Sequence, residues 1–161
     1  MTEAVRRLTV AAYVVALYFV LSFLVDVPTN VMPFNFSSET WRYGVVATVS
    51  NYLVSVLFGL ILAAYVAALN GHRLVLRAVS ILSAIGAVVL TVLLIGFLLD
   101  YIQTVRLVNA EDVRLFRIGA GKAGMKIGFV DLALTVMAVG AWRAAKVMAP
   151  RAEREEVTLV R

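Results

Sequence analysis

Three stretches of this chain, residues 8–25, 44–69 and 78–99, contain no Asp, Glu, Lys or Arg and are rich in Leu, Val, Ile, Ala and Phe. A helix crosses the roughly 30 Å hydrocarbon core of a bilayer with about 20 residues at 1.5 Å each. Each stretch is long enough to do so. A fourth run, 127–142, is shorter and interrupted by Asp131. It is still expected to span, because Lys126 at one end and Arg143 and Lys146 at the other can extend their charged heads to the headgroup layer. With 62% hydrophobic and 16% charged residues in a 161-residue chain and a mean hydropathy of +0.93, lipid is the solvent this sequence suits.

The expected fold is therefore an all-α integral membrane four-helix bundle forming one domain, 1–161. Its spans fall at about 8–25, 44–69, 78–99 and 124–146, with outer segments at 26–43 and 100–123 and a cytoplasmic tail at 150–161. Arg6 and Arg7, Arg73 and Arg77, then Arg143, Lys146, Arg151 and Arg154 share one side if the spans alternate. Basic residues accumulate on the cytoplasmic side, so both termini are expected there. Arg106, Arg114, Arg117, Lys122 and Lys126 oppose this bias without matching it. The first run is long for a signal-peptide core and no A-x-A site follows, so it is expected to remain.

Punctuation divides the chain further. Pro28 is expected to end the first helix. Ser37, with Glu39 and Thr40 near the positive end of the helix dipole, supplies a start for the second. Asn70-Gly71-His72-Arg73 makes a tight turn, so spans two and three should form an antiparallel hairpin. Beyond Asp100, Tyr101, Val105, Val108 and Leu115 recur at roughly helical spacing among charged residues. This predicts either a long third helix continuing outward or an amphipathic segment on the outer side. Gly119, Gly121 and Gly124 are expected to turn the chain back.

An ionisable residue in the membrane is a functional hypothesis until a partner is found. Asp131 is that residue, placed roughly 6 Å beneath Ile127 if span four enters there. Asn51 on span two, Thr91 on span three and Tyr18 on span one are its polar neighbours by depth. Thr48, Asn51, Ser55 and Gly59 form a small, polar stripe on span two; Gly124, Gly128, Asp131, Thr135 and Ala138 form its counterpart on span four. In one reading Asp131 serves proton or cation passage with Asn51, Thr91 and Tyr18. In the other the stripes let helices approach, Gly124-x-x-x-Gly128 and Ser55 with Gly59 being the packing residues, while Asp131 pairs with Asn51 or reaches Lys126. In the first outer loop Phe34, Phe36, Trp41 and Arg42 are an interfacial anchor or a docking surface for a partner.

Chemistry is narrowed by what is missing. With no cysteine and a single histidine, His72, the chain alone lacks thiolate sites, disulfides and bis-histidine ligation. Glu111 and Asp112 are adjacent and point from different helix faces, so they do not form an acid/base pair. No G-x-S-x-G, H-E-x-x-H, Walker or dinucleotide pattern occurs, and Asn35-Phe36-Ser37 is a bare glycosylation sequon. No enzyme, no catalytic or metal residues and no intrinsic cofactor are expected. Lipids or pigments between helices remain open. The basic residues flank spans and do not form a stripe with interleaved aromatics, so nucleic acid is not an expected partner.

The loop Met32-Pro33-Phe34-Asn35-Phe36-Ser37-Ser38-Glu39-Thr40-Trp41-Arg42 resembles the P-L-N-F-x-x-P-x-W pattern of small bacterial four-span proteins called HpsJ-like. Phenylalanine stands for the leucine, and the second proline is absent. The resemblance covers about a dozen residues plus the four-span layout and implies a bacterial cytoplasmic membrane, with a link by name to polysaccharide export. The leading expectation is an accessory or scaffold subunit of a larger membrane complex, a respiratory or photosynthetic one among the candidates, with lipids and other integral membrane subunits as partners. A small oligomeric proton, cation or solute transporter using Asp131 is the alternative, and envelope or polysaccharide assembly is third.

Overall fold

The computed structural model describes residues 3–148, so the tail expected at 150–161 lies outside the described residues. Five helices follow one another: α1 (Glu3–Val31), α2 (Glu39–Val49), α3 (Leu53–Asn70), α4 (Arg73–Thr104) and α5 (Val113–Val147). Among the described residues there is no strand. Helices α2 and α3 make one crossing of 32 residues, giving four membrane-length apolar spans. The protein is an all-α, multi-pass four-helix bundle. Its two ends are the loop end, carrying residues 32–38 and 105–112, and the terminal end, carrying the start of α1, the 71–72 turn and the end of α5.

Pro28 does not stop α1, which continues to Val31 with Met32 N–H bonded to the Pro28 carbonyl (3.2 Å). Proline removes one N–H, the donor to the Leu24 carbonyl, and the side chains that follow it bond back to the next two carbonyls. Thr29 Oγ1 donates to the Val25 carbonyl (3.0 Å), and Asn30 Nδ2 donates to that of Asp26 (2.8 Å). Helix α2 starts one residue later than Ser37 suggests: Ser38 is the N-cap, its Oγ accepting from Trp41 N–H at 3.2 Å. Gly71 closes α3 with φ of 70°, the left-handed conformation that glycine adopts without strain. His72 N–H then bonds back to the Ala67 carbonyl (2.8 Å).

The third span is a long helix, as expected, but the chain turns elsewhere. Helix α4 ends at Thr104 and the turn occupies 105–112, so Gly119, Gly121 and Gly124 lie inside α5. A Cβ at Gly119 or Gly121 would meet nothing within 4 Å, and without a packing or conformational demand the glycines do not interrupt the helix. Helix α5 therefore extends the fourth span by about three turns on the loop side.

Helices α4 and α5 form the core of the bundle. Leu76, Ser83, Leu90, Phe97 and Thr104 are buried at seven-residue steps on α4; Ala120, Ile127, Leu134 and Ala141 repeat the step on α5, with Ala123 and Val130 beside them. A seven-residue repeat on two antiparallel helices is the pattern of left-handed, knobs-into-holes packing. Large residues on one helix meet small ones on the other. The register pairs Ser80 with Ala138, Gly86 with Leu134, Thr91 with Asp131 and Phe97 with Gly124. Helices α2 and α3 cover one side of this pair, and α1 packs chiefly on α3.

Candidate functional site

Polar side chains couple the helices at three depths, counted from the loop end. At the first, Arg42 of α2 holds Asp100 of α4 with two prongs, Nη2 to Oδ1 at 2.8 Å and Nε to Oδ2 at 3.2 Å. Its Nη1 also donates to the Phe36 carbonyl at 2.8 Å, tying the 32–38 loop to the same guanidinium. Phe34 and Phe36 stack with centroids 5.7 Å apart, and Trp41 stands edge-on to Phe36 at 5.1 Å. The four residues expected at the outer interface thus form one unit. Deeper, Tyr43 stacks on Phe97 (5.0 Å) and leans on Phe116 (4.8 Å), joining α2, α4 and α5.

At the second depth the second span is broken. Residues 50–52 leave the α-helix, and Asn51 and Tyr52 N–H groups bond to Thr48 (3.0 Å) and Val49 (2.9 Å), three residues back. Ser50 Oγ donates to Ala47 (2.6 Å). These bonds satisfy the backbone where lipid would not. The Asn51 side chain accepts from Lys126 Nζ of α5 at 2.8 Å. Asn51 and Asp131 therefore do not pair, because Lys126 takes Asn51.

Asp131 takes Thr91 instead, accepting through Oδ2 at 2.9 Å, while its Oδ1 is shielded from solvent without a hydrogen-bond partner. Lys126 and Asp131 are five residues apart, about 140° around the helix. Lys126 thus faces α2 and α3, and Asp131 lies on the opposite rim of the α4/α5 seam. That rim is open: Thr91 and Thr135 are exposed, and a Cβ at Gly128 would meet nothing within 4 Å. None of the grooves between α1, α3, α4 and α5, between α3 and α5, or beneath the 32–38 loop is lined by Asp131.

The depth of Asp131 differs from the sequence expectation. Asp100 ends the charge-free run of α4, and Thr91 lies nine residues inward, roughly 14 Å at 1.5 Å per residue. Asp131, bonded to Thr91, lies beside the middle of the charge-free run 78–99 of α4. Lys126, five residues earlier on α5, bonds to Asn51.

Tyr18, expected near Asp131, is 67% exposed on the outward face of α1, away from the α4/α5 rim. Of the packing residues, Gly59 is the close contact: a Cβ there would lie 2.7 Å from the Ala16 carbonyl oxygen and 3.0 Å from Val20 Cγ2. Ser55 is half-buried in the first turn of α3, its N–H bonded to Tyr52 (3.1 Å). Gly124 lies at ordinary distance from Phe97, 3.8 Å, and Gly128 meets nothing, so the Gly124-x-x-x-Gly128 motif brings no helix close within this chain. The sequence reading missed Gly86, whose Cβ position lies 3.1 Å from Leu134 Cδ1, and Asp100. The signal for Asp100 was present: Arg42 and Asp100 bound two adjacent spans at the same end.

Among the described residues no three His, Asp or Glu side chains gather as a metal site. The arrangement joins helices by hydrogen bonds and an ion pair and leaves Asp131 Oδ1 without a donor, shielded within the chain. Comparison with known protein families, curated proteins and solved structures found no match to this chain.

Proposed function

We propose that this protein is a non-catalytic accessory or scaffold subunit of a larger assembly in a bacterial cytoplasmic membrane, with both termini in the cytoplasm. The observation that carries the reading is the open rim of the α4/α5 seam, where the Thr91–Asp131 pair and Thr135 leave polar side chains on the bundle's outer face. Polar side chains facing hydrocarbon are costly, and a neighbouring helix that covers the exposed Thr91–Asp131 hydrogen bond lowers that cost. Gly128, with open space above it, lets such a helix approach closely. A respiratory or photosynthetic complex is among the candidate assemblies; envelope or polysaccharide assembly is a third reading that rests on the loop resemblance alone.

A second reading, a small oligomeric transporter for protons, cations or a solute, draws on the interrupted second span beside Lys126, since transporters place binding sites at broken helices. Against it, Lys126 ties Asn51 of the break to α5, and Asp131 lines none of the three grooves described above.

Purification from native membranes in a gentle detergent, with sizing and identification of co-purifying chains, tests the choice. The subunit reading expects a complex of defined stoichiometry that survives Asp131→Asn and dissociates with Asp131→Leu, which cannot hydrogen-bond. A lone homo-oligomer whose vesicle flux is abolished by Asp131→Asn would replace it with transport.

A further inference from the structure

We infer that the groove beneath the 32–38 loop is a binding site for one zwitterionic glycerophospholipid, its phosphate at Arg42 and one acyl chain running inward between α2 and α4. The groove has a volume of about 450 Å³ and is lined by Phe34, Phe36 and Trp41 at the mouth and by Val45, Val92 and Leu93 further in. Asp100 and Leu93 both border it and are seven residues apart on α4. That is roughly 11 Å, most of one leaflet of a core about 30 Å thick. Polar atoms occur at the mouth and apolar ones below, the gradient of a lipid.

Arg42 fixes the head. A guanidinium carries five N–H donors. Two go to Asp100 and one to the Phe36 carbonyl. Two remain on a side chain that is 37% exposed, enough for a phosphate oxygen. Glu39, one turn earlier on α2, and Asp100 both act on Arg42, so this cluster of three side chains is net negative. A cationic group beside the phosphate is favoured over a purely anionic head. Gly96 lines the groove and a Cβ there would meet nothing, so its missing side chain is space inside the groove and not a helix contact.

The two tryptophans make the site readable, because Trp41 lines it and Trp142 lies in α5 near the terminal end. Full-length Trp142→Phe protein is reconstituted into phosphatidylglycerol vesicles containing a small fraction of phosphatidylethanolamine with a brominated acyl chain, and Trp41 fluorescence is followed. Quenching should exceed that by brominated phosphatidylglycerol at the same fraction by about tenfold in effective affinity, the step that one charge-assisted hydrogen bond supports. Gly96→Leu should remove the excess while the melting temperature holds. Val92→Phe, which narrows the groove from its lipid side, is the second variant and should do the same. Equal quenching by both lipids, a preference for phosphatidylglycerol, or an excess that survives both variants overturns the assignment.

Discussion

The α1/α3 contact and the α4/α5 seam both join helices in an apolar solvent, yet they depend on different things. The seam buries a side chain at every seven-residue step from Leu76 to Thr104 on α4 and from Ala120 to Ala141 on α5. It adds cross-helix hydrogen bonds from Ser80 Oγ to the Ala138 carbonyl (2.7 Å) and from Thr91 to Asp131. Only Ala16 and Val31 of α1 are buried, and its approach to α3 centres on the absent side chain of Gly59. Lipid tails are as apolar as leucine, so helices associate in a bilayer through close packing and hydrogen bonds, with no hydrophobic drive. A contact distributed over eight turns tolerates a defect. One hung on a single glycine does not.

The largest effect is expected from Gly59→Leu. The new Cβ meets a backbone oxygen at 2.7 Å, which cannot move aside as a side-chain tip can, so the cost reaches about 3 kcal/mol, the upper end of overpacking penalties. Since the chain has no cysteine, an Ala16→Cys probe reads the result: slow maleimide labelling with Gly59 in place, rapid labelling in the Gly59→Leu protein as α1 separates. Labelling that stays slow would mean α1 is held by something else.

Leu134→Ala tests the seam. It removes a buried side chain that fills the space over Gly86, at an expected cost of about 2 kcal/mol, the low end for such truncations because neighbours can settle onto a glycine. Thermal unfolding in mild detergent should show a lower midpoint with Ala16→Cys labelling still slow. Rapid labelling would show that the two interfaces are not independent.

Ser80→Ala deletes one interhelical hydrogen bond, and about 0.6 kcal/mol is expected from the measured average for such bonds in membranes. Gly128→Ala marks the other extreme. Its Cβ meets nothing within the chain, so the purified protein should gain a few tenths of a kcal/mol, since glycine is the weaker helix former. Loss of stability there would mean the α4/α5 rim is covered within this chain.

Hydropathy and charge made the four spans legible, and the seven-residue steps of the seam stand in the sequence for a reader who counts by heptads. The interruption at 50–52 was harder to see. Ser50-Asn51-Tyr52 sits inside a run apolar enough to read as one helix, and the Lys126 bond to Asn51 comes from 75 residues away. The neighbours of Asp131 were only half legible: Thr91 was among the expected residues and bonds to it, whereas Asn51 was expected there too and instead bonds to Lys126. Gly59 and Gly128 look alike in sequence. Each sits in a stripe of small residues, and nothing local distinguishes the one that touches α1 from the one that faces open space.

The sequence by itself determined that this chain enters a bilayer four times and where α3 is capped by Gly71. Those are properties of the backbone's need to satisfy its own hydrogen bonds in hydrocarbon and of local spacing. Which polar groups meet, Arg42 with Asp100, Lys126 with Asn51 and Thr91 with Asp131, was decided only by the tertiary structure. Apolarity commits a segment to the membrane without naming its neighbour, and the choice among partners rests on register and close contact, which exist only once the helices are side by side.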